Sequence, residues 1–370
     1  MMTQSDKPLR HLIIGAGAIV IGAHRPAWDL ETTRIAALCD LDPERARVRV
    51  EEMGVPFYRD YRQMLAEVPA DVAVVTTPHY LHAQIAIDAL QAGCHVLVEK
   101  PMALSVVEAD RMIAVSQAAG KMLAVNFQHR HRPEVRAARQ LIQQGRLGKI
   151  QRVTMVIPWP RSARYYRLAT WRGTWRGEGG GILMNQAPHD LDLICHLLGS
   201  PSRVLAWTRT RFHQMETEDT ASAMLEWPDG AIGHLHVSTA EGEKGYTIEI
   251  AGTGGVLQIT MGGLSFNEFE LDVQDYLAKT DELFKGPDSR DVTIPLEEGS
   301  GDHTAVYRDF HSAILHGTPI AADGAQGRMG LELANAIIYS SFNHREVELP
   351  LNREAYGALL SKLQASGRAI

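Results

Sequence analysis

Short apolar runs that do not alternate in polarity recur through the first third of the chain. They fall at 11–15 (HLIIG), 34–40 (RIAALCD), 71–77 (DVAVVTT), 95–100 (HVLVEK) and 121–127 (KMLAVNF). Each is rich in Val, Ile or Leu, the pattern of strands covered on both faces, as in a parallel sheet. Helical stretches lie between them. Residues 42–54 open on Asp-Pro and end at Gly54, and 82–93 carry Ile85, Ile87, Ala89 and Leu90 before a closing glycine. Residues 105–120 open on Ser105 and Glu108, a capping-box spacing, and end at Gly120. This alternation predicts a doubly wound α/β fold, a Rossmann domain over residues 1–126.

After residue 127 the texture changes. A helix pattern at 134–145 leads to a strand-like run at 150–159, a polar, aromatic and Gly-rich loop at 160–181, and a helix at about 186–198 stopped by Gly199 and Pro201. From 203 to 260 apolar and polar positions alternate, with the hairpin dipeptide Asp229-Gly230 between two runs. This predicts an antiparallel sheet whose outer face is wet or meets a partner; Met224, Leu235 and Val237 are expected to need cover there. Residues 304–342 read as two helices, so the second domain spans 127–370.

Composition narrows the field. The 370 residues suit two domains, and 45% hydrophobic with 22% charged residues is ordinary for a globular protein. No apolar run reaches the roughly 20 residues that cross a bilayer. Lys and Arg total 37 against 44 Asp and Glu, a net charge of −7, which favours neither nucleic acid nor an anionic membrane. The start, MMTQSDKPLR, has no secretory pattern, so a cytoplasmic location is expected. Cys39, Cys94 and Cys195 form no CxxC and read as buried small residues in a reducing cytosol. The pairs His129/His131 and His234/His236 lack a carboxylate or thiol cluster beside them, so no metal is expected.

The candidate chemistry begins at Gly15-Ala16-Gly17-Ala18-Ile19-Val20, which follows the first strand and opens a helix pattern. Gly15 makes the tight turn, Gly17 lets the backbone approach a pyrophosphate, and the helix N-terminus faces the anion. Val20 takes the place of the third glycine of that fingerprint, and Gly22 lies two further on. Asp40 ends the second strand, where an acid meets the ribose hydroxyls. A carboxylate there repels a 2′-phosphate, so NAD is expected over NADP, with Arg45 and Arg47 close enough to soften the preference.

Several motifs together resemble the Gfo/Idh/MocA family, relatives of glucose–fructose oxidoreductase and inositol dehydrogenase. Glu99-Lys100-Pro101 resembles its EKP motif. Thr77-Pro78-His79-Tyr80-Leu81-His82 resembles its TPNxxH turn, with His79 where Asn is usual. Gly179-Gly180-Gly181, Asn185, His189 and Asp192 resemble its GGGxxxDxGxHxxD, with Asn185 in place of the usual Asp, and Trp171-Arg172 resembles its Trp-Arg pair. The tail beginning DFHSAILHGTP is similar as well.

The resemblance implies a Rossmann domain followed by an α/β domain with a large open, mainly antiparallel sheet that binds substrate and mediates homodimers or homotetramers. It implies NAD(P)-dependent hydride transfer on sugars, cyclitols and their derivatives. Lys100 and His189 become the catalytic pair. Gly15, Gly17, Ala18, Ile19, Asp40, Thr77, Pro78, His82, Glu99, Lys100, Gln128, Trp171 and Arg172 become cofactor-binding residues. Lys100, Gln128, Tyr166, Asn185 and His189 become substrate-binding residues.

The chemistry of the residues agrees with these roles. Oxidising an alcohol needs a base near the working pH, which suits His189, with Asp192 three residues on expected to hold its imidazole. A Lys100 cation stabilises a developing alkoxide. Asn185 does not ionise, which leaves proton transfer to one histidine. His129, Arg130, His213, Tyr165 and Arg167 are further residues expected near the substrate. Two alternatives stand beside a sugar or cyclitol dehydrogenase. One is a reductase of an imine or ring carbonyl, with Arg161, Arg164, Arg167, Arg172 and Arg176 suiting an acidic substrate. The other is a non-catalytic NAD-dependent sensor.

Overall fold

The computed structural model describes residues 7–367. Six parallel strands form the first sheet: β1 (Leu9–Ile14), β2 (Thr33–Cys39), β3 (Phe57–Tyr58), β4 (Val72–Val75), β5 (His95–Val98) and β6 (Leu123–Val125). Their order is β3-β2-β1-β4-β5-β6. The order in which strands are added reverses between β1 and β4, which opens the crevice where such sheets bind ligands, at the carboxyl ends of the strands. The flanking helices start and stop where side chains can close them. Asp42 caps Pro43–Met53, which ends on left-handed Gly54. Ser105 and Glu108 form the expected capping box on Val106–Ala119, which ends on left-handed Gly120.

One local expectation changes. The segment after the glycine turn is not a regular α-helix but a π-helical turn, Val20–His24, running into a 3-10 turn, Arg25–Asp29. Pro26 removes an N–H that an α-helical ladder would use. His24 also turns inward to bond Glu99 and Tyr307.

The second sheet has nine strands: β7 (Ile150–Pro158), β8 (Arg203–Arg209), β9 (Thr220–Glu226), β10 (Ile232–Ser238), β11 (Thr247–Gly252), β12 (Gly255–Thr260), β13 (Gly263–Phe269), β14 (Ser289–Val292) and β15 (Val347–Glu348). Their order is β14-β13-β12-β11-β7-β10-β9-β8-β15. β7 and β10 pair in parallel and the other pairs are antiparallel. Register decides which side chains need cover. Leu235 pairs with Ala223, and Met224 pairs with His234, one position out of phase. Leu235 and Val237 therefore point inward and are fully buried, which corrects the expectation that they lie on the outer face. Met224 does face outward, 45% exposed, as do Trp207 and Ile232.

The inner face is covered by helices Pro188–Leu198 and Gly324–Asn343. Ser340 and Ser341 of the latter accept from the N–H groups of Ala206 and Thr208 on β8, pinning helix to sheet. Helix His303–His316 returns to the first sheet. Its Val306, Tyr307 and Phe310 share a core with Leu9, Ile13, Val72 and Leu97. Each large apolar side chain buried there contributes about 1.5–3 kcal/mol. A last helix, Arg353–Ser366, lies beyond the two expected at the C-terminal end. The three cysteines are free and buried. No described helix is long and apolar enough to cross a membrane.

Candidate active site

The site builds outward from the glycine turn. Gly15 has φ +103°, and a Cβ there would stand 2.8 Å from the Thr76 carbonyl oxygen, so only glycine fits. A Cβ at Gly17 would meet nothing within 4 Å, which leaves room for a ligand to approach the backbone. Asp40 lies against this turn: Oδ2 accepts from Ala16 N–H at 2.7 Å and Oδ1 from Asp42 N–H at 2.9 Å. Ala18 and Ile19 stand exposed at the mouth of the turn.

At the carboxyl end of β5, Glu99 is buried and crowded with donors. Its Oε1 accepts from His24 Nε2 at 3.0 Å, His303 Nε2 at 3.2 Å and Asn126 Nδ2. Burial alone would raise its pKa, but the bonds from His24 and His303 hold it well below the usual carboxylate range. The ligand-type atoms of His24, Glu99 and His303 lie within 4.8 Å of one another, and the hydrogen bonds account for their closeness. His82 spans the Pro101 carbonyl at 2.8 Å and the Thr77 carbonyl at 2.7 Å, tying the Thr77-Pro78 turn to the Glu99-Lys100-Pro101 segment. Both its ring nitrogens are thereby committed to protein.

Lys100 is half-buried, and its Nζ donates to the Asn185 carbonyl at 2.7 Å. Loss of solvation lowers its pKa, opposed by the Glu99 and Glu178 carboxylates. His189 sits in the first turn of helix Pro188–Leu198, buried, with its ring stacked on His129 at a centroid distance of 4.3 Å. Its Nε2 lies 3.4 Å from Gln128 Nε2, and its Nδ1 has no partner among the described residues. Burial first, then the His129 and Lys100 charges, push its pKa well below the ordinary histidine value, so the ring is neutral at working pH.

Asp192 does not hold His189. It forms a buried pair with Arg130, whose Nε and Nη2 donate to its two oxygens at 2.7 and 2.6 Å. Three residues along a helix share a face, but both oxygens of Asp192 are taken by Arg130. The expected place of Arg130 near the substrate changes with it.

The loop at 160–181 folds into two short helical turns, Ala163–Arg167 and Trp175–Glu178. It brings Tyr165, rather than Tyr166, to Asn185: the Tyr165 hydroxyl donates to Asn185 Oδ1 at 3.0 Å. Tyr166 instead donates to Thr239 and packs on His213, whose ring nitrogens are taken by Asp219 and the Arg161 carbonyl. Arg172 bonds the Tyr165 hydroxyl and lies over the Tyr165 and Trp171 rings, while Trp171 packs on His79. Trp171 and Arg172 thus join the loop to the Thr77-Pro78 turn.

A dinucleotide fits this arrangement. The glycine turn is open and lies against the Asp40 carboxylate, and Thr77 Oγ1, Asn126 Oδ1, Gln128 Oε1 and His189 Nδ1 are among the buried polar atoms that have no partner among the described residues. The fold and this site define an NAD-binding oxidoreductase. Residues 9–127 match the profile of the oxidoreductase family with an NAD-binding Rossmann fold, and residues 135–258 that of the GFO/IDH/MocA C-terminal domain. The chain belongs to the Gfo/Idh/MocA family of oxidoreductases.

It is 32% identical to the D-glucoside 3-dehydrogenase of Escherichia coli over 231 residues, 60% of this chain and 63% of that protein. It is 26% identical to the 1,5-anhydro-D-fructose reductase of Ensifer adhaerens, over 91% of this chain and 97% of that one. Among solved structures, the WlbA dehydrogenase of Bordetella pertussis, in complex with NADH and UDP-GlcNAcA, superposes with a TM-score of 0.81. The two are 29% identical over 93% of this chain and 100% of that one.

Proposed function

We propose that this protein is an NAD-dependent dehydrogenase that oxidises a secondary hydroxyl of a sugar, glycoside or cyclitol, with Lys100 and His189 as the catalytic pair. The observation that carries this reading is that Lys100, at the end of β5 and anchored on the Asn185 carbonyl, lies close enough to buried His189, itself beside Gln128, for its charge to act on the imidazole. The dehydrogenases and reductases of glycosides and anhydrosugars to which the chain is similar support the substrate class.

Gly15, Gly17, Asp40 and the Thr77-Pro78 turn would hold the dinucleotide, and Glu99, whose Oε2 accepts from the Lys100 N–H at 3.2 Å, would fix the backbone of the lysine beside it. The nicotinamide, when bound, supplies the hydride acceptor. Neutral His189 accepts the hydroxyl proton as hydride leaves carbon, and the Lys100 cation stabilises the alkoxide charge that develops on the same oxygen. Gln128 and Asn185 orient the hydroxyls, and Tyr165 adds an aromatic wall. Asp40 favours NAD over NADP. The outer face of the second sheet, with Trp207, Met224 and Ile232 exposed, is the surface through which a dimer or tetramer forms.

A spectrophotometric screen for NADH formation across sugars, glycosides, cyclitols and sugar acids tests the reading. Turnover of at least one neutral polyol is expected. Bound NAD without turnover of any of them would favour the non-catalytic sensor.

A further inference from the structure

Glu178, the last residue of the turn Trp175–Glu178, is fully buried and has no part in the chemistry above. Its carboxylate accepts from Gly173 N–H at 2.5 Å and from Asn185 Nδ2. The other end of the same amide, Asn185 Oδ1, accepts from the Tyr165 hydroxyl. An amide held between an acceptor and a donor has one orientation. The backbone of Asn185 in turn anchors Lys100 Nζ. Glu178 therefore sits behind the two groups, Asn185 and Lys100, that line the reaction centre from this side.

The charged and titratable groups facing it are Arg172, Lys100, His79, Tyr165, Tyr166 and Glu218. Arg172 Nη1 stands 3.9 Å from Oε1, too far for a hydrogen bond. Glu218 is buried as well, and its Oε1 is committed to the N–H groups of Gly181 and Leu183.

We propose that Glu178 is the positioning carboxylate of this site: ionised, it fixes Asn185 and Tyr165 and keeps Lys100 a cation, and its protonation turns the enzyme down. The proposal rests on the dehydrogenase reading for its kinetic consequence. Asn185 Nδ2 and Gly173 N–H bond different oxygens, and a proton on Oε1 puts an O–H where the Asn185 Nδ2 acceptor stood, so the amide loses its fixed orientation. It also removes an anion that opposes the desolvation of Lys100. Burial pushes Glu178 up to about 7, against the bonds from Gly173 and Asn185 and the charges of Arg172 and Lys100. The switch then falls in the neutral range, whereas His189, held well below 6.5, titrates under it.

Two measurements on the full chain test this. In the first, infrared difference spectra between about pH 5.5 and 8.5 are taken for the wild type and Glu178→Gln, with no substrate present. A carboxylic C=O band lost near neutral pH is expected, part of it from Glu218 and Asp190; subtracting the two spectra isolates the part that Glu178→Gln removes. In the second, log kcat is followed against pH for a substrate found in the screen. Glu178→Gln is expected to lose the limb near 7, lower kcat about tenfold or more, and leave NAD affinity nearly unchanged. Glu178→Asp, which keeps the charge, is expected to retain a limb, and it stands in for the glutamine variant if that one fails to fold. A neutral-range limb or C=O band unchanged in Glu178→Gln overturns the proposal. A wild type that oxidises no polyol overturns the dehydrogenase reading instead, and the infrared result still decides whether Glu178 titrates there.

Discussion

Asp192→Asn separates two roles for the same carboxylate. In the structure Asp192 and Arg130 are each 1% exposed and share two hydrogen bonds. The amide replaces one acceptor with a donor that faces a guanidinium N–H. The buried Arg130 charge keeps only neutral partners, the Ala321 carbonyl and Gln326 Oε1. Removing one partner of a buried ion pair costs about 3–5 kcal/mol, because the other charge stays desolvated. Total stability is on the order of 5–15 kcal/mol, so this is a large share of it. At roughly 2–4 °C per kcal/mol for a domain of this size, Tm should fall by about 6–20 °C. Differential scanning calorimetry of the wild type and Asp192→Asn measures the loss. The double variant Arg130→Met with Asp192→Leu should recover most of it, since an apolar pair carries no unpaired charge. The pH profile of kcat/KM for folded Asp192→Asn should match that of the wild type, because Asp192 does not touch His189. A loss below about 1 kcal/mol, or a displaced pH limb, would refute the structural role and restore Asp192 as the residue that orients the imidazole.

Other perturbations follow from the same geometry. Lys100→Met keeps length and removes charge, and should lower kcat by about 10²-fold or more with NAD affinity little changed; equal losses in both would make Lys100 a cofactor anchor only. Asp40→Ser removes the carboxylate that braces Ala16 N–H and that we propose faces the ribose, so the ratio of kcat/KM for NAD over NADP should fall by at least about tenfold; an unchanged ratio sinks the assignment. Burial lowers His11 to about 4 and His311 to about 3. The unfolded state, with histidines near 6.5, then binds more protons, so this stability is fully present above about 6.5 and is lost as pH falls toward 4. His11→Phe should flatten the fall of the urea midpoint over that window, and parallel curves for the two proteins would count against it.

Much of this architecture was legible in the chain because it rests on local signals. Five of the six parallel strands announce themselves as unalternating Val/Ile/Leu runs, and Ser105 with Glu108 marks a helix start that the capping box realises. β3 has two residues, too few for any periodicity to register. β13, β14 and helix Arg353–Ser366 lie where the alternation fades. Face assignment failed for Leu235 and Val237 because alternation gives two faces and does not say which one is covered. Pairing with β9 settles that, and pairing is a tertiary fact. At the site, motif residues 15, 40, 100, 185 and 189 could be named in advance. Tyr165 could be named as one residue of the polar loop but not tied to Asn185, and Glu178, His24 and His303 could not be placed. An acid before three glycines, or a histidine ten residues into a turn, has no local signature of what it will meet.

The partners of Glu99 carry the last step. His24 reaches it from the irregular turn after Gly17, Asn126 from the end of β6, and His303 from the start of a helix far along the chain. That helix also seals the first sheet with Tyr307, which bonds His24, and with His311, which bonds His11 on β1 and Thr32. The carboxylate next to Lys100 is thus fixed by a segment about two hundred residues downstream, packed on the same core as the glycine turn. Lys100 in turn is held by the Asn185 carbonyl, just ahead of the helix Pro188–Leu198 that covers the second sheet. Residues 1–126 alone do not contain all of these partners. Cofactor geometry and the placement of the lysine should therefore be lost together if helix His303–His316 is detached, even though every residue of the glycine turn remains in place.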